Sequence, residues 1–240
     1  MNNFPVLTDH ILIFIYGIVI PFFSGVKSRE NFEEIHFTEN IRRRFYLANS
    51  LFLGLAAGVI IITWWIYGRP FSAMGFRAPA GGDRNKWAIA LSILLGVLYI
   101  FDLIWSVRKA IKDPETQAEQ DASTPFLPHH ISEIPAYIVM CIAAGVFEEI
   151  MYRGYMVTYF LPEYNQSSGW PILAAIAPAF LFSLAHYYQG WHAMLKIFLL
   201  SMLLGLIFII SESLYIVMGI HFAIDLIGGL LAMRYLRKEI

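Results

Sequence analysis

Seven long apolar runs, strung along most of a chain of 240 residues, leave it few ways to fold. About 20 apolar residues is the length a helix needs to cross the hydrocarbon of a bilayer, where a helix satisfies its own backbone groups. The runs are read as spans at about 10–26, 45–67, 87–107, 134–161, 170–188, 193–210 and 214–235. Composition agrees. The chain is 58% hydrophobic and 15% charged, against roughly 25% charged in ordinary soluble domains. The expected fold class is all-α, a polytopic transmembrane helical bundle of about seven spans.

The segments between the runs set boundaries and orientation. Pro135 and Pro171 stand in first turns, where a helix tolerates proline, and Pro178 is expected to interrupt the middle of the fifth span. Trp64, Trp65 and Tyr67 end the second run where an aromatic belt belongs. The longest polar stretch, 108–133, divides the chain into residues 1–133, with three spans and their loops, and residues 134–240, with four spans, within one integrated membrane domain. Seven spans put twelve Lys and Arg on one side, among them Arg42, Arg43, Arg44, Arg237 and Lys238, and only Arg69, Arg77, Arg84 and Lys86 on the other. The positive-inside rule then makes the C-terminus cytoplasmic and the N-terminus external. The net charge of −1 gives no basic face for a nucleic acid. The single Cys141 cannot form an intramolecular disulfide, and residues 1–9 lack the basic start of a cleavable signal peptide.

Within the fourth run, AAGVFEEIMYRGYM carries Glu148, Glu149 and Arg153. Ionisable groups in hydrocarbon cost several kcal/mol unless paired or facing a polar cavity, so they mark function. Glu149 and Arg153 are i,i+4 with the acid first, the favourable orientation for an ion pair. Glu148 is turned about 100° away and left over. Two other runs add polar groups at the same spacing: Phe182 with His186, and His221 with Asp225. One carboxylate and two imidazoles on three spans can activate water, or bind a divalent metal such as zinc. Each group also has a plainer reading. His186 alone could be a hydrogen-bonded packing residue, and His221 with Asp225 a polar clasp between helices. Phe182 reads as packing, Glu149–Arg153 as structural, and Asp102 as reaching the membrane interface.

In this order, Glu148-Glu149-x-x-x-Arg153, Phe182-x-x-x-His186 and His221-x-x-x-Asp225 resemble the CPBP family of intramembrane proteases. That family comprises CAAX prenyl proteases and bacteriocin-processing or immunity enzymes, also called the Abi family. The resemblance covers about 134–232, and the stretch from Gly205 to Ile220 looks like the family's approach to its last motif. It implies a catalytic core in the last four spans and peptide-bond hydrolysis inside the membrane. Glu148 would activate water, assisted by His186; His221 and Asp225 would stabilise the oxyanion; Glu149, Arg153 and Phe182 would support them. The family's last motif commonly ends in Asn, which can donate to an oxyanion, whereas Asp225 is a carboxylate. The family is described both as glutamate-dependent and as a metalloendopeptidase. If a metal is used, Glu148, His186 and His221 are its candidate ligands. The implied partners are the lipid bilayer and a peptide or protein substrate, prenylated or membrane-embedded. Two other functions fit a chain of this kind: a non-enzymatic membrane immunity or scaffold protein, and a proton-coupled transporter. The complete set of costly ionisable residues favours the enzyme.

Overall fold

The computed structural model describes residues 4–28, 35–113, 115, 124–161 and 171–235. Seven helices make up the architecture: α1 Leu7–Gly25, α2 Glu39–Ile66, α3 Asp83–Lys112, α4 Ile131–Phe160, α5 Pro171–Ala185, α6 Trp191–Ser211 and α7 Leu214–Tyr235. No strand occurs among the described residues. Six of the helices are long and apolar enough to cross a membrane, and α5, with 15 residues, is a shorter apolar helix. The chain is a multi-pass membrane protein.

The helices alternate between two ends of the bundle, and buried polar contacts fix both ends. At one end Arg42, near the start of α2, donates to Glu133 at the start of α4 at 2.9 Å. Glu133 also accepts the backbone N–H groups of His129 and His130. At the same end Lys196 of α6 pairs with Asp102 of α3 at 2.6 Å, with both side chains about half exposed. At the other end Arg69 makes two 2.7 Å bonds to Asp9 of α1, and the Tyr155 hydroxyl of α4 donates to Asp9 at 2.9 Å. The Arg69 guanidinium lies over the rings of Phe4, Trp64 and Tyr67. Arg84, near the start of α3, donates to the last carbonyls of α6, those of Ile209 and Ile210. The buried pairs among them, Arg42–Glu133 and Arg69–Asp9, would be costly without the hydrogen bonds that satisfy them.

Several expectations from sequence change. Arg42 to Arg44 lie inside α2, because Thr38 caps that helix ahead of them by accepting from the Ile41 N–H. Arg42 is then a buried ion-pair partner with 4% of its surface exposed, not a solvated loop charge. Trp64 belongs to the core and not to an interfacial belt: it is fully buried, and its indole N–H donates to the Pro70 carbonyl. Pro178 does not interrupt α5, which runs through it. Packing explains this, since the neighbouring Ala174, Ala175 and Ala179 are buried and Ala175 meets Gly205 of α6. Tertiary contacts override the local preference. Residues 162–170, 236–240 and most of the polar stretch 114–123 lie outside the described residues.

The centre of the bundle is α4. Half of its apolar length is buried, against 11% for α3. The outer faces of α2 and α3 present Leu47, Leu51, Leu55, Ile93, Val97 and Phe101, a lipid-facing surface.

Candidate active site

The candidate residues sit where α4 leaves ordinary α-helical winding. Ala144–Glu148 and Ile150–Val157 are wound as π-helix, with hydrogen bonds reaching five residues instead of four. The wider turn is uncommon, and short insertions of it concentrate at functional sites. Here it carries Glu148, Glu149 and Arg153 on one distorted segment.

Glu149 and Arg153 are both sealed from solvent, at 0% and 1% exposed. Arg153 Nη1 donates to Glu149 Oε1 at 2.6 Å, and Nη2 donates to the Ser201 hydroxyl at 2.9 Å and the Ser201 carbonyl at 3.2 Å. The guanidinium stands 5.1 Å from the Phe182 ring centre. This pair therefore ties α4 to α5 and α6. Glu149 Oε1 takes a second bond, from His221 Nδ1 of α7 at 2.7 Å. A carboxylate only accepts there, so Nδ1 carries the hydrogen and the ring orientation is fixed.

The other edge of His221 then faces two more carboxylates. Its Nε2 is 3.7 Å from Glu148 Oε2 and 3.6 Å from Asp225 Oδ2. Glu148 and Asp225 stay partly exposed, at 14% and 32% of their side chains. His186, just past the end of α5, has Nδ1 at 2.9 Å from the Phe182 carbonyl. A carbonyl cannot donate, so Nδ1 carries the proton and Nε2 keeps its lone pair. Phe182 packs between both imidazoles, with ring centres at 4.5 Å from His186 and 6.0 Å from His221.

Close helix approach makes this convergence possible. A methyl group on Gly145 would stand 2.9 Å from the Phe222 nitrogen and 3.1 Å from the Met218 carbonyl. Only glycine lets α4 and α7 come this near, and His221 is next to Phe222. The result is a cavity of about 550 Å³ lined by Glu148, His186, His221 and Asp225 together. Glu149 and Arg153 are not in its wall; they lie behind it. A cleft of this size with a few converging polar groups is the usual form of a small-molecule or peptide site.

Residues 130–227, about two fifths of the chain, match the family model for type II CAAX prenyl endopeptidases, Rce1-like. That segment is similar to the Rce1-like family. The match bears out the likeness to CPBP intramembrane proteases read from the three motifs, and with it an intramembrane endopeptidase in general. Neither the curated proteins nor the solved structures gave a match.

The matched segment holds the three motif pairs, and with them Glu148, His186, His221 and Asp225 of the cavity wall. Sequence reasoning had not linked Glu149 to His221, nor Ser201 to Arg153. The surplus of one negative charge on α4 was the only signal that a second cationic or donor partner was needed. Among the described residues, no three His, Cys, Asp or Glu side chains stand where they could hold a metal ion. His221 is held at Nδ1 by Glu149, and His186 at Nδ1 by a carbonyl. As placed, Glu148, His186 and His221 do not form such a group.

Proposed function

We propose that the chain hydrolyses a peptide bond of a prenylated or membrane-embedded substrate, with Glu148 as general base. The observation that carries the reading is the convergence of Glu148, His186, His221 and Asp225 on one cavity while Glu149 and Arg153 remain buried behind it. Glu148 takes a proton from a water molecule as the water attacks the scissile carbonyl carbon. His186 offers the lone pair on Nε2 to the same water. The carbonyl oxygen becomes an oxyanion, and His221, as the imidazolium with Nδ1–H held by Glu149, donates its Nε2–H to it. Asp225 stabilises that N–H or, carrying a proton itself, donates beside it. When the intermediate collapses, Glu148 returns its proton to the leaving amine, the reverse of its first role.

The cavity walls suit such a substrate. Leu53, Ala56, Leu103 and Met140 give an apolar side, and Ser24, Ser28, Asn49 and Thr124 give a polar one toward the end where α1 stops and α2 begins. Apart from Met140 of α4, these residues come from α1 to α3 and their flanks, including the segment just before α4. In this reading the catalytic core, residues 134–240, works as one unit with residues 1–133. The polar end, with Arg42 to Arg44, is the cytoplasmic one.

The test compares purified wild type with Glu148→Gln in detergent, on a panel of peptides with and without prenyl groups. Wild type is expected to cleave, and Glu148→Gln to lose about 10²-fold or more. Cleavage confined to prenylated peptides assigns a CAAX-type tail. Equal cleavage of unprenylated membrane peptides assigns bacteriocin or membrane-peptide processing. A wild type that binds these peptides and cleaves none would move the immunity or scaffold reading to the front.

A further inference from the structure

Two tyrosine hydroxyls grip the turn of α7 that carries Asp225. Tyr99 Oη of α3 donates to the Ile224 carbonyl at 2.8 Å, and Tyr137 Oη of α4 donates to the Asp225 carbonyl at 2.8 Å. These carbonyls are consecutive. In an α-helix each also accepts the N–H four residues on, from Gly228 and Gly229 respectively. A side chain at i+4 lies over the carbonyl of residue i, so any larger residue there would block a third party from that oxygen. The glycine pair removes the obstruction. A methyl on Gly228 would meet the Tyr99 hydroxyl at 3.1 Å and nothing else within 4 Å, and one on Gly229 would overlap the Tyr137 hydroxyl and ring. Both tyrosines also line the cavity.

We propose that Tyr99 and Tyr137 are positioning residues of the active site, which act through the Ile224 and Asp225 carbonyls to set the turn of α7 bearing His221 and Asp225. The turn they hold has little slack. His221 Nδ1 is bonded to Glu149 at 2.7 Å, and its Nε2 is 3.6 Å from Asp225 and 3.7 Å from Glu148. Glu149 fixes the ring from the α4 side. The tyrosines fix the backbone beneath it from α3 and α4. A rotation of α7 would move Asp225 and His221 Nε2 together away from Glu148, with no change in the residues present. Gly228 and Gly229 are then the sequence mark of the clamp, each four residues after a gripped carbonyl.

The proposal rests on the protease reading, and its test separates the two. Full-length Tyr99→Phe and Tyr137→Phe keep their rings and lose only the hydroxyl. Steady-state cleavage of a dye-labelled farnesylated peptide is measured alongside thermal stability. The expected result is a fall in kcat of about five- to tenfold, the size of one hydrogen bond, with KM unchanged. Gly228→Ala should lower kcat in the wild-type background and cost nothing further in Tyr99→Phe, where the hydroxyl it would meet is gone. Imidazole ¹⁵N resonances, with His221 assigned by its loss in His221→Gln, should shift in both tyrosine variants. If kcat per folded molecule and the His221 resonance are unchanged in both, the tyrosines only pack and the proposal is overturned. If the wild type cleaves no peptide, the protease reading fails, and the His221 resonance alone then decides whether the clamp exists.

Discussion

A single oxygen of Glu149 ties α4 to α7: it accepts from Arg153 on its own helix and from His221 on α7. Truncating one partner of a buried pair strands the other and costs about 3–5 kcal/mol. Arg153→Ala is therefore expected to lower the yield of folded protein and its melting temperature. An Arg153→Ala protein that melts like wild type would remove the pairing from the account. Glu149→Gln should separate the two jobs. Its amide oxygen still accepts from one donor, so folded yield should fall less than in Arg153→Ala, while activity falls because His221 loses the carboxylate that orients and charge-balances its imidazolium; equal yields with full activity would refute this. The Glu149–Arg153 pair was legible because i,i+4 spacing within one helix leaves a mark in sequence. The Glu149–His221 bond spans 72 residues and two helices, and no local spacing records it. Asp102 was read as interfacial, and its half-exposed pairing with Lys196 agrees.

Among the helices, α4 carries Glu148, Glu149 and Arg153, and α7 is seated against it. Seven apolar runs sufficed to place all seven helices, because hydrophobic length is a property of each segment alone. The details that depend on neighbours were not readable. Apolar periodicity does not distinguish π winding of Ala144–Glu148 and Ile150–Val157 from α. Pro178 reads as a break until the alanines packed around it are known. Trp64 reads as a belt residue until Arg69 and Phe4 are placed beside it. Gly145 is the element-scale test. Its missing side chain lets α7 approach at the backbone of Met218 and Phe222. Backbone cannot yield as a side-chain tip can, so Gly145→Ala should cost about 1–3 kcal/mol of stability as overpacking and reduce cleavage by moving His221 away from Glu148. A Gly145→Ala protein with wild-type melting temperature and activity would show that the contact has room to spare.

For the whole molecule, the polar pairs at its two ends say which helix ends lie together. Arg42–Glu133 and Lys196–Asp102 mark one end, Asp9–Arg69–Tyr155 and Arg84 with α6 the other. Strict alternation carries the end of α7 to the same side as Arg42 to Arg44, although Arg237 and Lys238 lie outside the described residues. Cysteines introduced at Ser28 and Glu239 should both react with an impermeant thiol reagent from the cytoplasmic side, with little background from the fully buried Cys141. Labelling from opposite sides would overturn the orientation. The alternation also brings groups from α4, α7 and the end of α5 to one cavity, and the claim that they act there as a unit is the centre of the account. The measurement that tests it most directly is the cleavage rate of Glu148→Gln, His186→Ala and the double variant, each normalised to folded protein. The account predicts that Glu148→Gln falls about 10²-fold or more while folding as wild type, and that adding His186→Ala costs little further, because residues acting as a unit are not additive. A Glu148→Gln protein that cleaves near the wild-type rate would contradict it.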